Sequence, residues 1–218
     1  MEPDLSFHLP MYLEFGATML WALTGSLVAA RRGYDVAGLM VLAVISSAGG
    51  GLLRDGIFIN QGPPLFLRSP VFISIAVGTS LVVWAVGHRL DRVRHFERAI
   101  LLLDAVGMGA FCLVGLQIAL RAGLALPAAV FVGVVNAVGG EVLRDVLTRR
   151  EPTIFKPGIP SALAALAGCL TFLALVFPLG LPGDVAGPMA VATVFLIRAV
   201  ALRYNVRTRP ALGYAEQA

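Results

Sequence analysis

The chain has 218 residues, of which 58% are hydrophobic and 14% are charged. A soluble domain is about one quarter charged, so this composition excludes an ordinary water-soluble protein. The net charge of +4 does not point to a nucleic-acid partner, because the most basic connection, residues 88–98, holds one aromatic side chain for stacking on bases.

Apolar stretches near the roughly 20 residues that a helix needs to cross a bilayer recur along the chain. The residues before the first stretch are acidic and contain prolines, so the first stretch is predicted to be a retained span and not a cleaved signal. Turn-forming residues separate the stretches. In chain order the seven predicted spans are 11–30, 36–59, 70–88, 99–120, 126–148, 157–178 and 185–203.

Two glycine-rich motifs indicate an internal repeat. The first is SAGGGLLRDG, residues 47–56, and the second is VGGEVLRDVL, residues 138–147. Matches continue around the motifs, and the pairs are Glu14 with Asp104, Gly25 with Gly115, Arg31 with Arg121, Gly33 with Gly123 and Ser46 with Asn136.

Each repeat unit holds three predicted spans, so the second copy would cross the membrane in the opposite direction. The sequence therefore predicts an all-α membrane protein in a single domain, residues 1–218, with seven transmembrane helices. Two inverted three-helix repeats, 11–88 and 99–178, are followed by a seventh helix, 185–204, and a tail, 205–218. In such proteins the transport site lies at the repeat interface, near interrupted helices in matched positions.

The glycine clusters lie inside the second and fifth predicted spans. Glycine costs about 1 kcal/mol relative to alanine in a helix interior, so the clusters favour local unwinding, and loosened carbonyls would become candidate cation ligands. The alternative is close helix packing through small residues. Because the two clusters occupy matched positions, we favour a hinge in a permeation pathway over packing. The predicted hinge residues are Gly49, Gly50, Gly51, Gly139 and Gly140.

Each motif also places an arginine and an aspartate within an apolar span, Arg54 with Asp55 and Arg144 with Asp145. Charges at such depth are paired or functional. Adjacent residues on a helix do not face each other, so a pair across the repeats, such as Arg54 with Asp145, is left open. Two roles also stay open, namely structural ion pairs and guards of opposite mouths of a pathway.

Other polar residues fall near the motifs. Ser46 and Asn136 are neutral groups about one turn before the glycines. Glu14 and Asp104 are matched carboxylates near span starts, where they either favour the helix N-terminus or attract cations. Glu141 has no acidic counterpart in the first motif, which makes it the candidate for a cation-attracting carboxylate in the pathway.

No enzyme motif or cofactor site is visible. His8, His88 and His95 are scattered, and no HExxH, GxSxG or phosphate-binding glycine loop occurs. Cys112 and Cys169 lie in apolar spans without metal-ligand spacing, so we interpret them as small packing residues. The chain is predicted not to be an enzyme.

The sequences GGGLLRD and GGEVLRD, the duplicated three-span unit and the extra seventh span resemble the trimeric intracellular cation (TRIC) channels, in particular their prokaryotic branch. The resemblance implies a homotrimer in which each protomer has its own pore, lined by kinked helices two and five and passing monovalent cations such as potassium. It assigns the five glycines to the hinges. It places these residues near the pore or its gate: Ser46, Arg54, Asp55, Asn136, Glu141, Arg144 and Asp145.

The resemblance also implies contact with membrane phospholipids. Animal members carry a lysine linked to phosphoinositide binding directly before Glu-Val in the fifth span, and this chain has Gly140 there. The departure argues against regulation by that lipid. Arg144 is left as a candidate for contact with an anionic headgroup at the inner leaflet.

Two other functions compete with a cation channel. Some prokaryotic relatives are regarded as carriers of a small neutral solute such as glycine, and an inverted repeat suits both activities. A purely structural protein is the third possibility, and the matched charges within the predicted spans argue against it.

The distribution of basic residues predicts the orientation in a bacterial inner membrane. Twelve lie in one set of connections and the tail, against two, Arg68 and Arg121, on the other side. The twelve are Arg31, Arg32, Arg89, Arg92, Arg94, Arg98, Arg149, Arg150, Lys156, Arg203, Arg207 and Arg209.

We expect an external N-terminus and a cytoplasmic C-terminus, because short basic connections stay in the cytoplasm. Reporter fusions after Ala218 should report the cytoplasm, and fusions within residues 180–184 should report the external side. The reverse pattern would contradict both the orientation and the inverted repeat.

Overall fold

A computed structural model of the chain describes residues 7–90 and 96–208, and this part of the chain contains helices and no strand. Five helices are long and apolar enough to cross a membrane, and two shorter apolar helices accompany them. The helices are α1 Met11–Arg31, α2 Val36–Leu53, α3 Leu65–Arg68, α4 Pro70–Leu90, α5 Phe96–Arg121, α6 Leu126–Leu147, α7 Ser161–Val176 and α8 Gly183–Tyr204.

The predicted spans correspond to α1, α2 and α4 to α8, whereas the short helix α3 was not predicted. The sixth span was expected from residue 157, but α7 begins at Ser161, directly after Pro160. Proline has no amide hydrogen to donate within a helix and is tolerated only near a helix start. Pro157 and Pro160 therefore delay the start of α7 to Ser161. Residues 91–95 of the basic connection and the tail from 209 lie outside the described residues.

Local signals in the sequence explain several helix ends. The carboxylate of Asp35 accepts a hydrogen bond from the amide of Gly38 at 2.8 Å and caps the start of α2. Gly33 and Gly123 have positive φ angles of 71° and 84° just past the ends of α1 and α5. Glycine adopts this left-handed conformation without the steric penalty of a side chain. Gly33 and Gly123, each two residues after an arginine, therefore allow the chain to leave the helix.

Helices α2 and α6 touch through their glycines. A Cβ atom added to Gly50 would lie 2.0 Å from the carbonyl oxygen of Asn136, and one added to Gly140 would lie 2.2 Å from that of Ser46. A Cβ on Gly49 would lie 2.8 Å from the Cα of Gly140. These distances leave no room for a side chain, so the two backbones are in direct contact.

This contact corrects the expectation of unwinding at the glycines. Helix α2 stays α-helical through Gly49, Gly50 and Gly51 to Leu53, and widens into π-helical turns only at Arg54–Ile59. Helix α6 is α-helical to Leu147. In this conformation the glycines act as packing residues, which was the alternative interpretation. Their missing side chains let the backbones of α2 and α6 approach closely, while both helices keep their internal hydrogen bonds.

The buried core is largest around α5, which packs on α6, α7 and α8. Cys112 and Cys169 are both fully buried and free, and the thiol of Cys169 contacts the carbonyl oxygen of Cys112 at 3.7 Å. Phe172 and Leu113 fill the same core. The interpretation of the cysteines as packing residues is confirmed.

Replacing Gly50 or Gly140 with alanine should destabilise the protein, because the added methyl group would overlap a carbonyl oxygen of the facing helix. Overpacking of this kind costs about 1–3 kcal/mol. Matched controls are Gly16→Ala in α1 and Gly78→Ala in α4, where an added Cβ meets nothing within 4 Å. Thermal unfolding in detergent should separate the two pairs. Equal melting temperatures for all four variants would contradict the direct backbone contact.

Candidate functional site

A cavity of about 590 Å³ lies beside the contact of α2 and α6. Residues of α1, α2, α5 and α6 form much of its wall. The rest comes from α3, α4, the connection between α6 and α7, the start of α7, and α8 with the residues that follow it. The wall is largely apolar, but it includes eight charged residues. Its charged residues are Glu14, Arg54, Asp104, Glu141, Arg144, Lys156, Arg198 and Arg207.

The lining residues come from both ends of the helical bundle. Helix α8 marks the two ends, since its 22 residues extend over about 33 Å. At its start, Asp184 lies 3.7 Å from His8, which precedes α1. After its end, the amide of Thr208 donates a hydrogen bond at 3.0 Å to the carbonyl of Gly158, which follows α6. Glu14 lies near the first end and Arg207 near the second, and both line the cavity.

Most of the residues predicted from the motifs meet at this cavity. The residues on its wall are Ser46, Gly50, Gly51, Arg54, Asn136, Gly140, Glu141 and Arg144. The predicted residues that are not on its wall are Gly49, Asp55, Gly139 and Asp145. Gly49 and Gly139 contact the opposite helix. The carboxylates of Asp55 and Asp145 accept hydrogen bonds from the neighbouring arginines of the wall.

Arg54 is 4% exposed and forms a paired contact with its neighbour Asp55. The Nη2 atom donates to Oδ2 of Asp55 at 2.8 Å, and Nη1 donates to Oδ1 of Asn136 on α6 at 3.2 Å. Asn136 in turn donates through Nδ2 to the carbonyl of Phe111 on α5 at 2.7 Å. Arg54 thus links α2 to α6.

Arg144 lies in a corresponding arrangement nearer the other end of the bundle. Its Nη2 atom lies 3.0 Å from Oδ1 of Asp145 and 3.7 Å from Oε1 of Glu141. The hydroxyl of Thr153 donates a hydrogen bond to the Glu141 carboxylate. The backbone amide of Thr153 donates one to Oδ2 of Asp145 at 3.2 Å.

The cross-repeat pair of Arg54 with Asp145 is therefore not formed, because each arginine pairs with the aspartate next to it. The expectation that neighbours on a helix face apart fails here for a geometric reason. An arginine side chain is long and flexible enough to fold back along its own helix, and a carboxylate one residue away is then within reach.

One charged cluster was missed by the sequence analysis. Arg198 on α8 is 3% exposed, and its Nη2 atom donates to Oδ2 of Asp104 on α5 at 2.9 Å. The other oxygen of Asp104 accepts from Nε1 of Trp21 on α1 at 2.8 Å, and Arg198 Nη1 donates to the hydroxyl of Ser161. The available signal was an arginine inside the seventh apolar span, where an unpaired charge is costly.

Three of the four arginines on the wall are paired with carboxylates. Arg54 has Asp55, and Arg198 has Asp104. Arg144 has two carboxylate neighbours, Asp145 and Glu141. The carboxylate of Glu14 forms no hydrogen bond with any residue in 7–90 or 96–208. Glu14 and Glu141 thus add two carboxylates beyond the one partner that each of these three arginines has. Arg207 and Lys156 add two positive charges to the wall, and Lys156 is paired with Glu151 at 2.8 Å.

Ser46 is a further polar residue of the wall. It is 5% exposed, and its Oγ atom is buried without a hydrogen-bond partner among the residues that the structure describes. The Oγ atom faces α1, since a Cβ atom added to Gly25 would lie 2.4 Å from it. Ser46 therefore lines the cavity without presenting its hydroxyl to it.

Comparison with known families agrees with this architecture. A family model described as "Glycine transporter" matches two segments of the chain, residues 11–88 and 101–176. A UPF0126 membrane protein of Deinococcus radiodurans is 34% identical over 158 residues, 72% of each chain. The UPF0126 inner membrane protein YadS of Escherichia coli is 30% identical over 196 residues, 90% of this chain and 93% of YadS.

Solved structures extend the likeness to the fold. A structure reported for conductance through TRIC cation channels matches with a TM-score of 0.84 and 25% identity, over 92% of this chain and 96% of that one. The TRIC orthologue of Rhodobacter sphaeroides matches with a TM-score of 0.78 and 31% identity, over 90% and 98%. The predicted resemblance is confirmed. The chain therefore belongs to the membrane-protein family that the glycine transporter model and the UPF0126 relatives represent, and its structural neighbours are the TRIC cation channels.

Proposed function

We propose that the chain is a channel for monovalent cations, with potassium as the expected ion and the described cavity as the pathway in each protomer. The cavity wall has residues at both ends of the bundle, and three of its four arginines are paired with carboxylates, whereas the wall also carries Glu14 and Glu141. Carboxylates on a wall of low dielectric attract cations once the nearby arginines are paired. The structural neighbours that conduct cations support the same function.

Assembly and topology belong to the same proposal. The Rhodobacter sphaeroides neighbour is described as a trimeric channel, which supports a homotrimer here. The family model matches two segments that nearly coincide with the predicted repeats, which supports two inverted three-helix units and a seventh helix. We place the protein among the phospholipids of the inner membrane, as the YadS relative is described, and we expect no enzymatic activity, cofactor or nucleic-acid partner.

The glycine contact is the proposed site of movement. Because α2 and α6 touch there without side chains between them, no side chains interlock to prevent the two helices from sliding or bending against each other. The π-helical turns at Arg54–Ile59 lie directly after this contact, and π-helical turns are frequent at functional sites. We propose that Arg54 and Arg144 guard opposite ends of the pathway beside this hinge.

A carrier of a small neutral solute such as glycine is the second candidate, favoured by the description of the family model. The cavity, at about 590 Å³, lies within the roughly 300–1,000 Å³ of small-molecule sites. Purified protein in planar bilayers separates the two functions. A channel shows unitary currents and non-saturating flux, whereas a carrier shows saturable uptake of labelled glycine with countertransport and no unitary current.

Glu14→Gln and Glu141→Gln should each lower the unitary potassium conductance by at least about twofold at 0.1 M salt, because each removes a negative charge from the wall. The loss should shrink at 1 M salt, where the Debye length falls from about 10 Å to about 3 Å.

Asp184→Asn is the matched control, since Asp184 is an exposed carboxylate outside the cavity lining. It removes the same charge without touching the pathway and should leave conductance at the wild-type value. A reduction of equal size in all three variants would show that the effect is not specific to the cavity wall.

Arg54→Gln should raise cation conductance, and Asp55→Asn should lower it by uncovering the arginine. A unit charge about 4 Å from an ion is worth roughly 4 kcal/mol at an effective dielectric of 20, so changes of at least about threefold are expected. Single-channel currents should be recorded beside thermal stability. Two variants that lose stability alike while their conductance is unchanged would leave the pair as scaffolding only.

A further inference from the structure

The Asp104 carboxylate is held at both of its oxygens. Oδ1 accepts a hydrogen bond from Trp21 of α1, and Oδ2 accepts one from Arg198 of α8. The partners come from two different helices, so the carboxylate is fixed in position on the cavity wall. Because the guanidinium of Arg198 is only 2.9 Å away, its charge cancels most of the attraction that Asp104 has for a cation in the cavity.

Arg198 is itself tightly constrained. Its side chain is 3% exposed, and it reaches Asp104 of α5, Ser161 at the start of α7 and, at 3.6 Å, the sulfur of Met108. Its Nε atom has no hydrogen-bond partner within the described part of the chain. A buried arginine on an apolar helix needs a carboxylate close by, and Asp104 provides it.

Glu14 differs from Asp104 because it forms no salt bridge with an arginine among the described residues, although the charge of Arg54 acts on it. The predicted repeat matches Glu14 with Asp104, and both line the cavity. The Glu14 carboxylate lacks a hydrogen bond to the described residues, whereas Asp104 has two. The salt-bridged partner of Asp104 comes from α8, the helix for which the repeat predicts no counterpart.

We propose that Arg198 is a positioning residue that withholds the Asp104 carboxylate from permeating cations and so reduces the number of cations that the cavity attracts. This inference rests on the proposed cation pathway. The seventh helix then has a function in conduction, because it makes one of two matched carboxylates neutral in effect and leaves the other active.

Opposite charge changes at this pair test the proposal. Arg198→Gln leaves Asp104 uncompensated and should raise the unitary potassium conductance by at least about twofold at 0.1 M salt. Asp104→Asn leaves Arg198 uncompensated and should lower it by a similar factor. The double variant, which removes both charges, should return to within about 1.5-fold of wild type. The single effects should shrink at 1 M salt.

Two controls address structure and charge. Arg198→Lys keeps the positive charge and should keep conductance near the wild-type value. Arg203→Gln removes a positive charge from the exposed last turn of the same helix, outside the cavity lining, and should have no effect.

A second measurement does not depend on currents. The melting temperature in detergent is compared in potassium chloride and in choline chloride at equal ionic strength. A ligand that binds only the folded state raises this temperature. Arg198→Gln should gain a stabilisation by potassium that exceeds the wild-type value, and the double variant should lose that gain.

Several results would overturn the proposal. Conductance that is unchanged, or that shifts in the same direction, in Arg198→Gln and Asp104→Asn would make the pair scaffolding only, as would a potassium stabilisation of Arg198→Gln equal to that of wild type. If the Arg198→Gln variant cannot be produced as folded protein, a wild-type conductance in Asp104→Asn overturns the proposal. If wild-type protein carries no cation current, the channel function fails, and the potassium-dependent melting of the variants alone decides whether Arg198 withholds Asp104.

Discussion

The direct contact between the backbones of α2 and α6 is the constraint on which the rest of the site depends. Gly50 and Gly140 each face a carbonyl oxygen of the other helix at a distance that admits no side chain. Polar residues of the same helices, such as Ser46 and Asn136, therefore lie around the contact and line the cavity. The glycines bring the two helices together, and the helices bring their polar residues to one place.

The second constraint is the high free energy of an unpaired charge away from water. Arg54 and Arg198 are almost fully buried, and each has a carboxylate within hydrogen-bonding distance. Pairing removes most of the field of these arginines, so the electrostatics of the cavity depend on the remaining charged residues of the wall, Glu14, Glu141, Lys156 and Arg207.

Conduction and carriage both remain compatible with this architecture, because the same fold supports both. The difference lies in whether the two ends of the cavity open together or in turn. The contact between α2 and α6 lies between the ends, and Arg54 joins the two helices through Asn136 at 3.2 Å. Movement at this contact would change the width of the cavity and the hydrogen bond of Arg54 to Asn136 at the same time.

Much of the fold follows from the sequence because its causes are local. Continuous apolar stretches give the membrane helices, Gly33 and Gly123 end helices at matched positions, and Asp35 begins one. Most of the residues that the motif analysis selected also lie on the cavity wall, since glycines and charges within apolar helices are costly and need a structural or functional reason.

Only the tertiary structure decided which groups meet. The sequence could not show that Arg54 folds back onto Asp55, because that depends on side-chain rotamers and on the π-helical turns that follow. It also could not show that α2 and α6 stay α-helical at the glycines. That depends on the backbone of the facing helix, which occupies the space where side chains would be. The partnership of Arg198 with Asp104 spans 94 positions of the chain. Spacing along a sequence specifies neighbours within one helix, whereas such a pair is set by how the helices pack.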